Sequence, residues 1–178
     1  MEFTESGLIF QFADDRWRVH KWDDLPPFKG QFDRLPKTAA VDFVALFDER
    51  TLYLIEVKNY SEHERTKEKD IDVEFGHKVR DTVAGLVGAF RSGQYDAWAR
   101  PAMDALRGDK RRVVLVLWYE PHASGRRTGA PDMRRVAAIL QPLRQEIERK
   151  MKWLHAVVEV RATSDNASLP DGLTVRRV

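Results

Sequence analysis

Two apolar runs decide the fold of this chain: Val41-Asp42-Phe43-Val44-Ala45-Leu46-Phe47 and Thr51-Leu52-Tyr53-Leu54-Ile55-Glu56-Val57-Lys58. The polar turn Asp48-Glu49-Arg50 separates them, so they are predicted to form a buried β-hairpin. Asp42 lies in the first run, and Glu56 and Lys58 end the second. Charged groups are costly at the exit of a buried hairpin unless something uses them. Paired carboxylates bind hard divalent cations, and a neighbouring lysine can hold or activate a water.

The register of the hairpin determines whether the two acids can meet. A three-residue loop, 48–50 or 49–51, pairs even-numbered residues with even-numbered ones and places Asp42 opposite Glu56 or Lys58. A two-residue loop instead pairs Asp42 with Val57 and sends the acids to opposite faces, because a one-residue slip inverts every side chain. The left-handed glycine usual in three-residue loops is absent. The sequence therefore permits a shared site without requiring one.

At these residues the chain resembles the PD-(D/E)XK nuclease superfamily, which has the restriction-endonuclease-like fold. The resemblance rests on Asp42, the thirteen-residue gap, Glu56, Lys58 and the order of elements that follows. It implies that Asp42, Glu56 and the Val57 backbone carbonyl hold Mg²⁺ or Mn²⁺, and that Lys58 assists the attacking water. It also implies an α/β fold in which a mixed central β-sheet is flanked by helices on both faces.

Two positions depart from the superfamily pattern. Val41 stands where the signature proline would be, and an additional acid from a preceding helix could come only from Glu5 or Glu2. An acid, a gap and E-x-K also arise by chance in a chain that is 33% charged. The missing helix acid favours an alternative, a catalytically inactive domain of the same fold that binds nucleic acid or a protein partner.

Length and composition predict one folded domain over residues 1–178, with an N-terminal hairpin over 1–37, a core over 38–162 and a tail over 163–178. The chain has no cysteine, which excludes disulfides, zinc–thiolate sites and thiol nucleophiles. It also lacks H-E-x-x-H, a glycine-rich phosphate loop and G-x-S-x-G. No apolar stretch reaches the length of a membrane span, so a cytoplasmic location is expected.

Further elements follow from periodicity. Residues Leu8–Phe12 and Trp17–Trp22 are predicted to form a hairpin or a pair of irregular strands. Helices are predicted from Ile71 to about Gly93, over about 95–107, and from near Asp132; strands are predicted over 112–118, over 156–160 and in the tail.

The helix that follows the hairpin carries polar residues, Glu74, Lys78, Arg80 and Asp81. Lys78 and Asp81 lie three residues apart and share one face. The resemblance implies that Lys78, Arg80 and Asp81 support the site or contact the scissile phosphate. The alternative is a surface ion pair beside an apolar stripe.

The charge distribution is uneven although the net charge is only +2. Residues 1–64 hold thirteen acids against eight Lys and Arg, and residues 100–152 hold thirteen Lys and Arg against six acids. A basic half could contact the phosphates of a nucleic acid. The residues predicted to do so are Arg111, Arg112, Arg126, Arg127, Arg134 and Arg135. Each arginine taken alone is better explained as a solvated helix face.

Together these features predict a Mg²⁺- or Mn²⁺-dependent nuclease. DNA is the favoured substrate, although RNA stays open because no base-reading motif is visible. A homodimer is compatible with the prediction. The substrate structure, the sequence preference and the choice between endo and exo cleavage are not encoded in any visible motif.

Overall fold

The computed structural model describes residues 1–26, 28–30, 32–63, 65–66, 70–93, 95–108, 112–122, 133–165 and 169–178. The strands are β1 (Glu2–Glu5), β2 (Leu8–Phe12), β3 (Trp17–Lys21), β4 (Phe43–Phe47), β5 (Thr51–Asn59), β6 (Arg112–Glu120), β7 (Val157–Arg161) and β8 (Leu173–Arg177). The α-helices are α1 (Ile71–Arg91), α2 (Asp96–Leu106) and α3 (Met133–Lys150). Short 3₁₀ helices cover Trp22–Asp24, Phe32–Arg34, Lys152–Leu154, Thr163–Asp165 and Pro170–Gly172. Within the residues that the structure describes, no helix is both long and apolar enough to cross a membrane.

The strands form two sheets. The larger sheet has the order β3-β4-β5-β6-β7, in which β3, β4 and β5 pair antiparallel and β5, β6 and β7 pair parallel. The smaller sheet is antiparallel with the order β1-β2-β8. The fold is therefore mixed α/β, as predicted.

The register of the central hairpin is the one that a three-residue turn allows. Phe47 pairs with Thr51 and Phe43 pairs with Ile55, so the loop is 48–50 and even-numbered residues face even-numbered ones. Asp48 and Glu49 both adopt positive φ, at 51° and 56°, and thereby take the left-handed conformation that a glycine more commonly supplies. The predicted even-to-even register is confirmed.

The two faces of the large sheet pack against different layers. Even-numbered side chains of β4 and β5 join one core with residues of all three α-helices, including Val79, Ala102 and Leu140. Odd-numbered side chains join a second, aromatic core with residues of the small sheet, including Phe10 and Phe12. The prediction of helices on both faces is wrong for the described elements. The physical reason is that β1, β2 and β8 supply enough alternating apolar side chains to cover the second face.

Of the two alternatives predicted for the N-terminal segment, the pair of strands is present and the hairpin is not. Leu8–Phe12 and Trp17–Lys21 both exist, but β2 pairs with β1 and β8, whereas β3 pairs with β4. The turn between them carries the chain from one sheet to the other, and the rings of Phe12 and Trp17 meet between the sheets with centroids 5.1 Å apart. The strands were predictable from alternation, but their partners were not.

Helix α1 is packed closely at two glycines. A Cβ atom at Gly76 would lie 2.9 Å from the terminal methyl group of Met151, and one at Gly85 would lie 3.2 Å from the indole of Trp22. Both contacts are closer than an ordinary side chain allows. They set how α1 lies over the end of β5, where the charged residues of the hairpin are found.

Candidate functional site

The site begins where β5 extends beyond the end of β4. The last residue pair between these strands is Phe43–Ile55, so the next amide of β5 that faces β4 belongs to Val57. That N–H donates to Oδ2 of Asp42 at 2.7 Å. The Asp42 carboxylate thus accepts the hydrogen bond that a backbone carbonyl would accept if the pairing of β4 with β5 continued. Its carboxyl group is held beside Glu56, which stands opposite it by one-step extension of the register.

Glu56 is at the centre of the site and is fully buried, with 0% of its surface exposed. Its Oε1 atom lies 2.6 Å from Nζ of Lys58 and 2.7 Å from Nζ of Lys78. Lys78 also donates to Oε2 at 2.9 Å, and its amine lies 3.8 Å from Oδ1 of Asp42. The ammonium of Lys78 therefore lies between the two carboxylates that were predicted to bind a cation.

A third acid extends the cluster. Glu74, on the first turn of α1, lies 3.1 Å from Nζ of Lys58 and 2.9 Å from the guanidinium of Arg65. Glu74 and Lys78 are one helical turn apart and therefore point toward the same strand end. Three acids and three cations form a connected group: Asp42, Glu56, Glu74, Lys58, Lys78 and Arg65.

Burial and neighbouring charges shift the pKa values of two residues of this group, Asp42 and Lys58. Burial, reinforced by the charge of Glu56, raises the pKa of Asp42 from 3.8 to about 7. Burial opposes the charged form of Lys58, but the contacts with Glu56 and Glu74 outweigh it and raise the pKa of this amine above its usual range. Lys58 is therefore a positive charge at neutral pH, whereas Asp42 gains or loses its proton close to neutral pH.

The donors at this point suit a hard cation in kind but are few in number. Asp42 and Glu56 supply carboxylate oxygens, and the Val57 carbonyl faces the same gap as its N–H because both groups of a strand residue point to one side. Among the residues that the structure describes, no group of three or more His, Cys, Asp or Glu side chains is arranged to hold a metal ion. A cation here would rely on two carboxylates, one carbonyl and solvent, and it would compete with the Lys78 ammonium.

The other predicted helix residues have different surroundings. Asp81 is buried, accepts the Ala39 N–H at 3.2 Å and pairs with Arg80 at 2.7 Å. The next residue, Thr82, accepts the Val41 N–H at 3.1 Å. Asp81 and Thr82 hold the segment that leads into Asp42, so Asp81 positions the site through the backbone that precedes Asp42.

Arg112, one of the arginines predicted to contact phosphates, lies far from this strand end. Arg112 pairs with Thr51 at the far end of β5, about 23 Å from the level of Lys58 at roughly 3.3 Å per residue, and it contacts Asp171 at 3.5 Å. Arg134 and Arg135 are exposed on the first turn of α3. The remaining members, Arg111, Arg126 and Arg127, lie outside the described residues.

Two members of the cluster were not predicted as site residues, Glu74 and Arg65. For Glu74 a signal existed in its i,i+4 spacing from Lys78, whereas Arg65 precedes α1 in a segment without periodicity. Of the acids considered at the N-terminus, Glu5 belongs to β1 and pairs with Lys21 at 2.9 Å, and its charge adds to the causes that raise the pKa of Asp42. The acid that a helix contributes to the cluster is Glu74 of α1.

A second buried carboxylate ends the neighbouring strand. Glu120, the last residue of β6, accepts hydrogen bonds from the Trp118 indole at 2.9 Å and from the Thr163 amide and hydroxyl at 2.5 and 2.6 Å. Arg177 of β8 donates to its other oxygen at 3.1 Å. Burial alone would raise the pKa of Glu120, but these hydrogen bonds outweigh it and lower the pKa. Glu120 joins β6 to the C-terminal segment.

Fold and site together define a mixed α/β protein with an acid–lysine cluster at the exit of its central hairpin. Comparison with protein-family models, with curated proteins and with solved structures finds no significant match to this chain.

Proposed function

We propose that this protein is a divalent-cation-dependent phosphodiesterase of the PD-(D/E)XK type, with a restriction-endonuclease-like core, and that it cleaves nucleic acid, with DNA as the first substrate to test. One observation carries the proposal: Asp42 and Glu56 converge at the end of β5 with the Lys58 amine 2.6 Å from Glu56. Two carboxylates and an ammonium in one partly buried place are the groups that phosphodiester hydrolysis needs.

The residues of the site would have different roles, according to the charge of each side chain. When bound, a Mg²⁺ or Mn²⁺ ion would activate water and neutralise charge on the phosphate. Asp42, Glu56 and the Val57 carbonyl would hold the ion. Because its pKa is raised, Lys58 would keep its proton and stabilise negative charge on the phosphate instead of abstracting a proton. Glu74 would orient Lys58, to which it lies 3.1 Å away.

Lys78 would have a role that changes with the ion. In the cluster it neutralises Glu56 at 2.7 Å and approaches Asp42 at 3.8 Å. A divalent cation at this point would displace its ammonium, which is then free to contact the phosphate.

The experiment is a cleavage assay on purified protein. Supercoiled plasmid, linear duplex, branched DNA and single-stranded DNA and RNA are incubated with millimolar Mn²⁺ or Mg²⁺. Cleavage is expected for the wild type, and Lys58→Ala should lower its rate by roughly 10²- to 10⁴-fold, the range for a catalytic side chain of this kind, while binding is retained. Lys29→Ala is the matched control, because Lys29 is an exposed lysine that pairs only loosely with Asp24 at 3.5 Å. Intact substrates throughout, with equal binding by wild type and Lys58→Ala, would refute the nuclease proposal.

A second function is favoured by the balance of charges in the cluster. Three acids are matched by three cations at distances of 2.6 to 3.8 Å. Such a network balances its own charges without a metal ion, as expected for a non-catalytic domain of this fold that binds nucleic acid or a protein partner. Absence of any thermal shift with millimolar Mn²⁺ would favour this second function.

A further inference from the structure

One tryptophan is exposed while the other four are buried. Trp17, Trp22, Trp98 and Trp118 each have at most 7% of their surface exposed, whereas Trp153 has 52%. It lies in the 3₁₀ helix Lys152–Leu154 that follows α3. A large aromatic ring left half in solvent is a feature of binding surfaces, because its burial by a partner is favourable.

A groove of about 320 Å³ lies beside this ring. Its walls are the outer side of α1, with His77 and Arg80, and the end of α3, with Lys150 and Trp153. Gly76 and Met151 also line it, and the missing side chain of Gly76 allows Met151 to approach α1 closely.

Two cationic side chains and one acidic side chain line the groove together with Trp153, and a third cation is its neighbour in the chain. Arg80 is more than half exposed even while it pairs with Asp81. Lys150 is partly exposed and pairs with Asp72, the acid in the groove wall. Lys152, next to the ring in the chain, is exposed. An aromatic face beside several cations suits a base and its phosphates better than an apolar or acidic ligand.

The groove lies across α1 from the acid–lysine cluster. Glu74 and Lys78 point from α1 to the end of β5, whereas the adjacent His77 lines the groove. The two places are separated by the width of one helix, about 10 Å. One nucleic acid strand could therefore occupy both.

We propose that this groove binds single-stranded nucleic acid, with one base stacked on Trp153 and the flanking phosphates on Arg80, Lys150 and Lys152. The inference rests on the proposed function and narrows its substrate to single strands, frayed ends or branches. In a duplex the faces of the bases are covered by their neighbours, so only an unpaired base, in a single strand, a frayed end or a branch, can present both faces and stack fully on the indole.

Tryptophan fluorescence tests this directly, since Trp153 is the exposed emitter. The full chain in EDTA is titrated with a 12-nucleotide oligo(dT), the matching oligo(U), a blunt 12-bp duplex and poly-glutamate. Oligo(dT) or oligo(U) should quench the emission, and the two oligonucleotides separate DNA from RNA. Trp153→Ala should abolish the quench and weaken binding, measured by anisotropy, by about 5- to 100-fold. Trp153→Phe should retain much of the affinity.

The matched control is Tyr95→Ala. Tyr95 is another exposed aromatic residue, 43% accessible, and it lies beyond the opposite end of α1. It should leave oligonucleotide affinity unchanged. Equal affinity of wild type and Trp153→Ala, or equal quenching by the blunt duplex or by poly-glutamate, would overturn the inference.

The outcomes also separate this inference from the proposed function. If the wild type cleaves DNA and Trp153→Ala binds and cleaves equally well, the groove assignment is wrong and the nuclease proposal stands. If single strands bind through Trp153 but no cation supports cleavage, the groove assignment stands and the nuclease proposal is wrong.

Discussion

Two neighbouring strands of the large sheet end in buried carboxylates with opposite surroundings. Glu120, at the end of β6, is held by the indole of Trp118, the amide and hydroxyl of Thr163 and the guanidinium of Arg177. Glu56, near the end of β5, is held by the amines of two lysines. The pKa of Glu120 is lowered, whereas the pKa of Asp42, which stands beside Glu56, is raised to about 7.

The comparison distinguishes a structural carboxylate, whose partners are fixed, from one whose partners can be exchanged. Two of the four donors to Glu120 belong to the backbone or to a rigid ring, and a third is a short hydroxyl side chain, so these three have little freedom to move away. The partners of Glu56 lie at the tips of long side chains, and a second carboxylate next to it is held at the cost of repulsion. A cation could replace such partners.

The largest expected effect is on the structural carboxylate. Glu120→Ala should lower the free energy of unfolding by about 5 kcal/mol, because it leaves an indole, an amide, a hydroxyl and a guanidinium without their acceptor. Urea unfolding followed by circular dichroism measures the change. The control Glu148→Ala removes an exposed partner of Arg144 in α3 and should cost less than about 0.5 kcal/mol. A cost below about 1 kcal/mol for Glu120→Ala would show that its network is not structural.

The next effect concerns pH. Between about pH 4 and pH 7, folded Asp42 keeps a proton that the unfolded chain has already released, because its pKa is raised from 3.8 to about 7. The free energy of unfolding contributed by this group therefore falls as pH rises through this window, by up to about 4 kcal/mol. Asp42→Asn, which retains an acceptor for the Val57 amide, should remove this loss and stabilise the metal-free protein at pH 8.

The check is the melting temperature of both proteins in EDTA from pH 4 to pH 8. The gain from Asp42→Asn should be near zero at pH 4 and greatest at pH 8. Glu120 should contribute in the opposite direction, because an acid with a lowered pKa adds stability above its ordinary pKa and loses it as pH falls. A gain from Asp42→Asn that does not vary with pH would contradict the assigned repulsion.

The third effect is produced by the cation. Mn²⁺ at 100 times its dissociation constant should stabilise the wild type by about 2.7 kcal/mol, since it binds the folded state alone. Glu56→Gln should lose this stabilisation. Glu120→Gln, although less stable itself, should keep it. Thermal unfolding with and without Mn²⁺ measures both, and a full response in Glu56→Gln would place the cation elsewhere.

The smallest effect is expected at Lys78. Lys78→Met removes the ammonium that lies between Asp42 and Glu56, so it should tighten Mn²⁺ binding by about tenfold, or about 1.4 kcal/mol. Calorimetric titration measures the affinity. Arg80→Met, two residues away and paired with Asp81, is the control and should leave the affinity unchanged. Weaker Mn²⁺ binding by Lys78→Met would mean that the amine supports the ion instead of competing with it.

Sequence reasoning reached those parts of the fold that short-range patterns encode. The central hairpin followed from turn length and alternation, and α1 from apolar spacing that starts at Ile71. The pairing of β2 and β3 in different sheets did not follow, since alternation identifies a buried face and says nothing about the partner strand. For the same reason, the sequence did not show that the small sheet covers the second face of the large sheet.

The candidate site was predictable to a similar extent. Asp42, Glu56 and Lys58 come together because of the hairpin register, which a three-residue turn permits but the sequence alone does not require. Arg65 could not be placed, because its position depends on a segment without periodic pattern. Arg112 was assigned to a phosphate surface from regional charge alone, and a count of charges does not reveal at which end of a strand a residue lies.

The two glycine contacts of α1 have a consequence for how the cluster could diverge. Gly76 under Met151 and Gly85 under Trp22 lie on either side of Lys78 along the helix, so they fix its rotation about its own axis. Each residue of a helix turns it by about 100°. A one-residue insertion between Glu74 and Gly85 would misalign either the two contacts or the two charged side chains, and the intact helix tolerates neither. Substitution at the charged positions, without change of length, is therefore the route by which chemistry at this strand end can evolve.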